Sequence, residues 1–81
     1  MKIRSNLAVS ENGFVFDPKT GESFTVNELG VEIINQLKVT SNIDELLKKL
    51  EETYDVDPYT LEKSVTDFLN MMQEFNLTEN E

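Results

Sequence analysis

The residue types that this sequence lacks limit its chemistry before any fold is considered. The 81-residue chain contains no histidine and no cysteine. A Ser-His-Asp or Cys-His arrangement is therefore impossible, and both the commonest general base and the thiol nucleophile are missing. The sequence also has no glycine-rich phosphate loop and no dinucleotide fingerprint. We expect that the protein is not an enzyme and that it binds no cofactor.

The best candidate for a metal site is the short acidic segment Asp55-Val56-Asp57. It has the beginning of a calcium loop, but the further ligands, the glycine and the distal glutamate of that loop are absent. Asp57 has a simpler explanation, because it directly precedes Pro58 and aspartate is a good helix N-cap. The sequence therefore predicts a helix start here and no metal site.

The more promising chemistry lies in the main chain of Ser23-Phe24-Thr25-Val26. This segment is typical of a strand, with Phe24 and Val26 on one face. It contains no Pro and no Lys, and Glu22 alone stands beside it to guard the edge. An open edge beside a helix is a place where an extended peptide can add a strand. The alternative is an edge that is merely short and harmless.

Strand patterns elsewhere place this edge in a small antiparallel meander over residues 1–26. Ile3–Val9 reads as a weak first strand, and an Asn-Gly hairpin signal ending at Gly13 follows it. Phe14 and Phe16 share one face of the second strand, which we expect to pack in the core. A turn with Asp, Pro and Gly then leads into the third strand, so the second strand lies in the middle.

Three helices follow over residues 27–77. Their predicted N-caps are Asn27, Ser41 or Asn42, and Asp57. Gly30, in the first turn of the first helix, indicates close packing against a neighbour. The buried stripe of the third helix is predicted as Leu61, Val65, Phe68, Leu69, Met72 and Phe75. Asn76 suits a left-handed helix end with Leu77 folding back, and residues 78–81 are expected to fray.

Met71 lies beside this stripe, on the same flank of the third helix as Ser64 and Asp67. An apolar residue at the margin of a core face is typical of the lip of a groove, and methionine suits adaptable contacts. The alternative is a core stripe that is merely wide.

The net charge of −9 bears on the partners of this single domain. Residues 38–81 hold four basic and eleven acidic side chains, a net of −7. Three helices beside a small sheet outline a winged-helix DNA-binding module, but the third helix has only Lys63 as a basic residue. We therefore expect no nucleic-acid partner and no membrane partner.

A family resemblance covers the chain from about Leu7 to Leu77. The residues that carry it are Gly13-Phe14, Phe16-Asp17-Pro18, Thr20-Gly21-Glu22, Phe24 to Asn27, Gly30, Tyr54 to Asp57, the Val65, Phe68 and Leu69 run, and Leu77. In order and spacing they resemble the PqqD-like family, the precursor-peptide recognition elements. The block from Phe16 to Gly30 is most similar to the branch called peptide chaperones of HPr-related systems.

The resemblance implies an α+β, winged-helix-like fold and a non-catalytic adaptor. Such proteins bind the leader of a ribosomally made precursor peptide and present it to a modifying enzyme, often a radical SAM protein. The leader adds a strand to the third strand and lies beside the third helix. By position, the implied peptide-binding residues of the strand are Ser23, Phe24, Thr25 and Val26. Those of the helix, on the flank that Met71 indicates, are Ser64, Asp67, Phe68 and Met71.

Two other functions stay open beside the adaptor. One is an assembly subunit that binds a partner enzyme and no peptide, and the other is a winged-helix DNA-binding module, which the acidic third helix disfavours. With no signal peptide and no apolar membrane span in the sequence, we expect a cytoplasmic protein that is a monomer or a weak dimer.

Overall fold

The computed structural model describes residues 2–79. Four short strands come first along the chain, three helices follow them, and a fifth short strand comes last. The strands are β1 (Lys2–Ile3), β2 (Ala8–Val9), β3 (Phe14–Asp17), β4 (Glu22–Thr25) and β5 (Thr78–Glu79). The helices are α1 (Glu28–Leu37), α2 (Ile43–Thr53) and α3 (Pro58–Glu74). Within these residues no helix has the length and hydropathy needed to cross a bilayer.

The main sheet has the order β2-β3-β4 and is antiparallel, which confirms the predicted meander with its middle strand. Glycines close its two turns, since Gly13 has φ 92° and Gly21 has φ 78°. Glycine adopts such positive φ angles at little cost. Within the second turn, the Asp17 carboxylate accepts a hydrogen bond from the Lys19 N–H at 2.9 Å. β4 is left as an edge of this sheet.

The prediction of one strand over Ile3–Val9 is wrong. A turn at residues 5–6 divides the segment, and β1 leaves the main sheet to pair with β5. Fraying of residues 78–81 is also wrong for Thr78–Glu79, which form β5, while residues 80–81 lie outside the described part of the chain. The chain turns back after α3, so that β5 lies beside β1, whose Ile3 is fully buried in the core.

The prediction that Phe14 and Phe16 belong to the core is also wrong. Their side chains are 61% and 43% exposed, whereas Val15 and Asp17 between and beside them are buried. Alternation in a strand defines two faces but does not say which one is covered. Here the helices cover the face that carries Val15, and the two aromatic rings lie on the outer face of the sheet.

Local capping chemistry sets the three helix starts as predicted. The side-chain oxygens of Asn27, Asn42 and Asp57 accept hydrogen bonds from the N–H groups of Gly30, Glu45 and Thr60 at 2.9, 3.1 and 3.0 Å. These bonds satisfy main-chain donors that the first turn of a helix leaves unpaired. Of the two predicted caps of α2, the structure uses Asn42.

The end of α3 also follows the prediction, except at one residue. Asn76 has φ 59°, its N–H donates to the Gln73 carbonyl at 3.1 Å, and the Leu77 N–H donates to the Met72 carbonyl at 2.9 Å. This pair of bonds is a Schellman motif. Leu77 is buried, but Phe75, which was predicted in the core stripe, caps the helix and is 61% exposed. Phe75 is the C-cap residue, beyond the last helical turn, and the buried stripe of α3 ends at Met72.

The core fills the space between the inner face of the sheet and the helices. Its fully buried members include Ile3, Leu7, Val15, Ile33, Ile34, Leu37, Leu46, Leu50, Leu61, Val65 and Met72. Phe24 and Val26 pack against this core from the sheet side, and Phe68 and Met71 from α3. Of these four residues, Phe24 and Met71 face each other across the space between β4 and α3.

Candidate functional site

The edge of β4 presents main-chain hydrogen-bonding groups in a defined order. The Val26 N–H donates to the Gly13 carbonyl at 2.8 Å, and the strand register makes Phe24 the next residue that bonds inward. Hydrogen-bonded and non-hydrogen-bonded pairs alternate in an antiparallel ladder. The N–H and C=O groups of Ser23 and Thr25 therefore point away from β3, and no strand of residues 2–79 pairs with them.

This edge can form four main-chain hydrogen bonds with an extended chain, two through Ser23 and two through Thr25. The main-chain groups of Phe24 point toward β3. The N–H of Val26 also points to that side, so Val26 ends the ladder and does not extend the free edge. Each intramolecular hydrogen bond contributes about 0.5–1.5 kcal/mol net. Strand addition at this edge is therefore possible, but it needs further contacts to give a stable complex.

A cleft of about 250 Å³ lies between this edge and the C-terminal end of α3. Its lining residues are Asp17, Thr20, Glu22, Ser23, Phe24, Thr25, Met71, Phe75 and Leu77. Most of the surface of its walls is apolar, and Asp17 and Glu22 both contribute carboxylates to the lining. A site of this size holds one or two side chains, which is what an added strand would direct toward α3.

Met71 and Phe75 form the helical wall of the cleft. They are four residues apart and therefore lie on one line of the helix surface. Met71 is half-buried against the core, whereas Phe75 is exposed beyond the helix end. The sequence pattern predicted Met71 at the lip of a groove but assigned Phe75 to the core. The four-residue spacing between Met71 and Phe75 could have indicated that both belong to the groove.

Phe68 and Val26 lie together at Gly30, farther toward the start of α3. A Cβ atom at Gly30 would lie 2.8 Å from the Val26 Cβ and 3.0 Å from the Phe68 Cε1. These short distances confirm the predicted close packing at Gly30. The two side chains pack over α1 and do not line the cleft.

Ser64 and Asp67 are exposed on α3 and do not line the cleft either. The Asp67 carboxylate lies 3.6 Å from the Lys63 Nζ, and both side chains are about two-thirds exposed. Of the eight residues predicted for the site, the structure therefore brings Ser23, Phe24, Thr25 and Met71 into one cleft.

A buried ion pair under one end of the cleft was not predicted. The Arg4 guanidinium donates to both carboxylate oxygens of Asp17, at 2.6 and 3.2 Å, and to the Asn76 carbonyl at 3.1 Å. The two charged side chains are 11% and 4% exposed. Arg4 thereby joins Asp17, at the end of β3, to the residue that follows the end of α3, and Asp17 and the end of α3 both border the cleft. No sequence signal pointed to it, because the predicted inward face of the middle strand was that of Phe14 and Phe16, which leaves Asp17 on the opposite face.

The ion pair determines the charge state of Asp17. The hydrogen bond from Arg4 lowers the pKa of Asp17 below its ordinary value of 3.8, and this effect outweighs burial, which acts to raise it. The carboxylate is therefore ionised at neutral pH, and it accepts hydrogen bonds without donating any.

The acidic segment Asp55-Val56-Asp57 shows no arrangement for a metal ion. The Asp57 carboxylate accepts hydrogen bonds from the N–H and the hydroxyl of Thr60, at 3.0 and 3.2 Å. Among residues 2–79, no three carboxylates are grouped so that they could hold an ion. The structure supports the capping role that the sequence indicated.

Comparison with known proteins gives two matches. The profile of the family described as "Coenzyme PQQ synthesis protein D (PqqD)" matches residues 13–77. A solved structure described as "TbiB1 in Complex with the TbiA(beta) Leader Peptide" matches with a TM-score of 0.84 and 25% sequence identity, over 100% of this chain and 98% of that chain. No curated protein sequence gives a significant match. The structural match confirms the expected α+β, winged-helix-like fold.

Proposed function

Because the chain belongs to the PqqD family, we propose that it is a non-catalytic adaptor that binds the leader segment of a ribosomally synthesised precursor peptide. TbiB1, which shares its fold, is described in complex with a leader peptide. The observation that carries the proposal is the open edge of β4 beside an apolar cleft on α3.

The leader binds as a fourth strand next to β4. Its main chain exchanges hydrogen bonds with Ser23 and Thr25, and every second side chain points toward α3. One apolar side chain enters the cleft between Phe24 and Met71. Burial of such a side chain contributes about 1.5–3 kcal/mol, which offsets part of the cost of ordering the peptide.

The bound leader is held for an enzyme that modifies another part of the precursor. We propose a radical SAM enzyme as this partner and the cytoplasm as the place of the reaction, as the family resemblance implies. Residues 38–81 carry a net charge of −7, which favours a partner with a basic docking face.

Thr25→Pro tests the proposal at the free edge. Proline removes an N–H that points away from β3, so the ladder between β3 and β4 remains intact. The probes are a displayed library of random peptides and synthetic leaders of short open reading frames that adjoin the gene. We expect selected peptides to shift the amide signals of Ser23 and Thr25 in NMR titration. The Thr25→Pro variant should bind about tenfold more weakly, as expected for a lost hydrogen bond with added steric conflict.

Thr25→Val is the matched control, because it changes the same side chain and keeps the N–H. Its affinity for the selected peptides should stay within about twofold of the original. If peptides bind but shift only the exposed residues of α2, or if Thr25→Pro binds as well as Thr25→Val, strand addition at β4 is wrong.

A further inference from the structure

The outer face of the main sheet carries an exposed apolar patch, formed by Ala8, Phe14 and Phe16. Phe14 is 61% exposed and Phe16 is 43% exposed, although both lie in the central strand. Their partners on β4 are Thr25 and Ser23. Both partners are small, so they leave the rings uncovered on the side of the free edge.

This patch is continuous with the cleft through Ser23. A shallow depression of about 280 Å³ over the outer face is lined by Phe14, Phe16 and Ser23, among others. Ser23 also lines the cleft on the other side of β4. The depression and the cleft are thus the two sides of one edge strand.

The size of the outer face decides what can occupy it. Strands lie about 4.8 Å apart and residues about 3.3 Å apart, so three strands of up to four residues present roughly 200 Å². A stable interface between folded proteins buries about 800 Å² on each partner. The outer face is therefore too small to hold a second copy of this chain or another folded domain by itself. It is large enough for one or two side chains.

A peptide strand on β4 would deliver such side chains. Successive residues of a strand point to opposite faces, so the neighbours of the residue in the cleft lie on the outer face beside Ser23 and Thr25. The rings of Phe14 and Phe16 are two strand spacings away, about 10 Å. Two aromatic rings that lean toward each other across a serine can bridge this spacing and reach the 4.5–7 Å between centroids that aromatic pairs prefer.

We propose that the outer face of the sheet is a second subsite for the same bound peptide. It accepts a large apolar side chain, best an aromatic one, from a residue directly adjacent in sequence to the residue in the cleft. The peptide that this chain recognises therefore has two consecutive apolar residues, one for the cleft and one for Phe14 and Phe16. This inference rests on the proposed function.

Selection from the displayed peptide library with the Phe14→Ser, Phe16→Ser double variant tests the subsite. Tyr59→Ser is the matched control, because Tyr59 is an aromatic residue on α3 that is 76% exposed and lies outside both subsites. The original protein and Tyr59→Ser should enrich peptides with two adjacent apolar positions. The double variant should keep the preference at one position and lose it at the other. It should also bind the peptides selected by the original protein about tenfold more weakly.

A second measurement does not depend on the folding of the double variant. In the original protein, nuclear Overhauser effects should connect the rings of Phe14 or Phe16 to the outward side chain of a selected peptide. Replacement of that peptide residue by serine should weaken binding about tenfold. Unchanged binding together with the absence of these contacts overturns the second subsite.

The same experiments separate the two proposals. If Thr25→Pro weakens binding but the changes at Phe14, Phe16 and the outward peptide residue do not, only the second subsite is wrong. If no selected peptide is sensitive to Thr25→Pro, the proposed function fails and the second subsite fails with it.

Discussion

Single residues set the approach of β4 to the helices. Gly30 is the clearest case, because a side chain there would collide with Val26 on one side and Phe68 on the other. The absence of a Cβ lets α1 come close to the segment that follows β4. Because no space is left for a side chain at Gly30, even one added methyl group should disturb the packing.

Gly30→Ala should destabilise the protein by about 1–3 kcal/mol, although alanine is the better helix former. The added methyl group would lie 2.8 Å from the Val26 Cβ, which is fixed to the main chain and cannot move aside alone. Urea unfolding measures the change. Asn35→Ala, at an exposed position of the same helix, is the control and should alter the free energy of unfolding by less than about 0.5 kcal/mol. Equal stabilities of the two variants would contradict the packing at Gly30.

At the scale of elements, the Arg4–Asp17 pair holds the two sides of the cleft together. Arg4 lies between β1 and β2, Asp17 ends β3, and the Asn76 carbonyl follows α3. The pair is nearly fully buried, so removal of one partner leaves the other charge without compensation. The geometry of the cleft therefore depends on an interaction that touches the cleft at Asp17 alone.

Arg4→Met should lower the stability at neutral pH and should change its pH dependence. In the folded protein the pKa of Asp17 is lowered from its ordinary value of 3.8. The stability that its ionised form contributes is fully present above that value and is lost as the pH falls through the lower pKa of the folded state. The urea midpoints of the original protein and of Arg4→Met should therefore differ most at neutral pH. The difference between the two proteins should become smaller as the pH falls.

Lys63→Met is the control for this experiment. Lys63 faces Asp67 in an ion pair that is about two-thirds exposed, and such pairs contribute little to stability. Its urea midpoint should follow that of the original protein at every pH. A gap for Arg4→Met that stays constant from neutral to acidic pH would rule out Asp17 as the titrating partner.

At the scale of the whole molecule, the charge separates this chain from DNA-binding proteins of similar outline. The net charge is −9, and α3 carries Lys63 against Glu62, Asp67 and Glu74. A helix that reads DNA must place basic side chains against the phosphates. An acidic surface of this kind repels nucleic acid and attracts basic partners.

The protein should therefore leave a labelled DNA duplex unbound even at about 50 mM salt, where electrostatic attraction is strongest. Fluorescence anisotropy measures this, with a peptide from the displayed selection as the positive control for active protein. Binding that weakens steeply as salt is added would return the DNA-binding module to consideration.

The sequence by itself determined the features that depend on neighbouring residues. Helix starts at Asn27 and Asp57, the helix end at Asn76 and the order of the hairpins follow from hydrogen bonds that span a few residues. The candidate edge could be predicted as Ser23–Val26, because the absence of Pro and Lys is visible in the sequence, and the structure ends it at Thr25.

The tertiary structure decided which sides of these elements are covered and which distant segments meet. Alternation along a strand defines two faces but does not show which of them is buried. Only the packing of the helices shows that Val15 is inside and that Phe14 and Phe16 are outside. The pairing of β1 with β5 and the contact of Arg4 with Asn76 join residues from opposite ends of the chain. Local pattern cannot show such contacts, because their stability comes from burial that exists only once the whole core has formed.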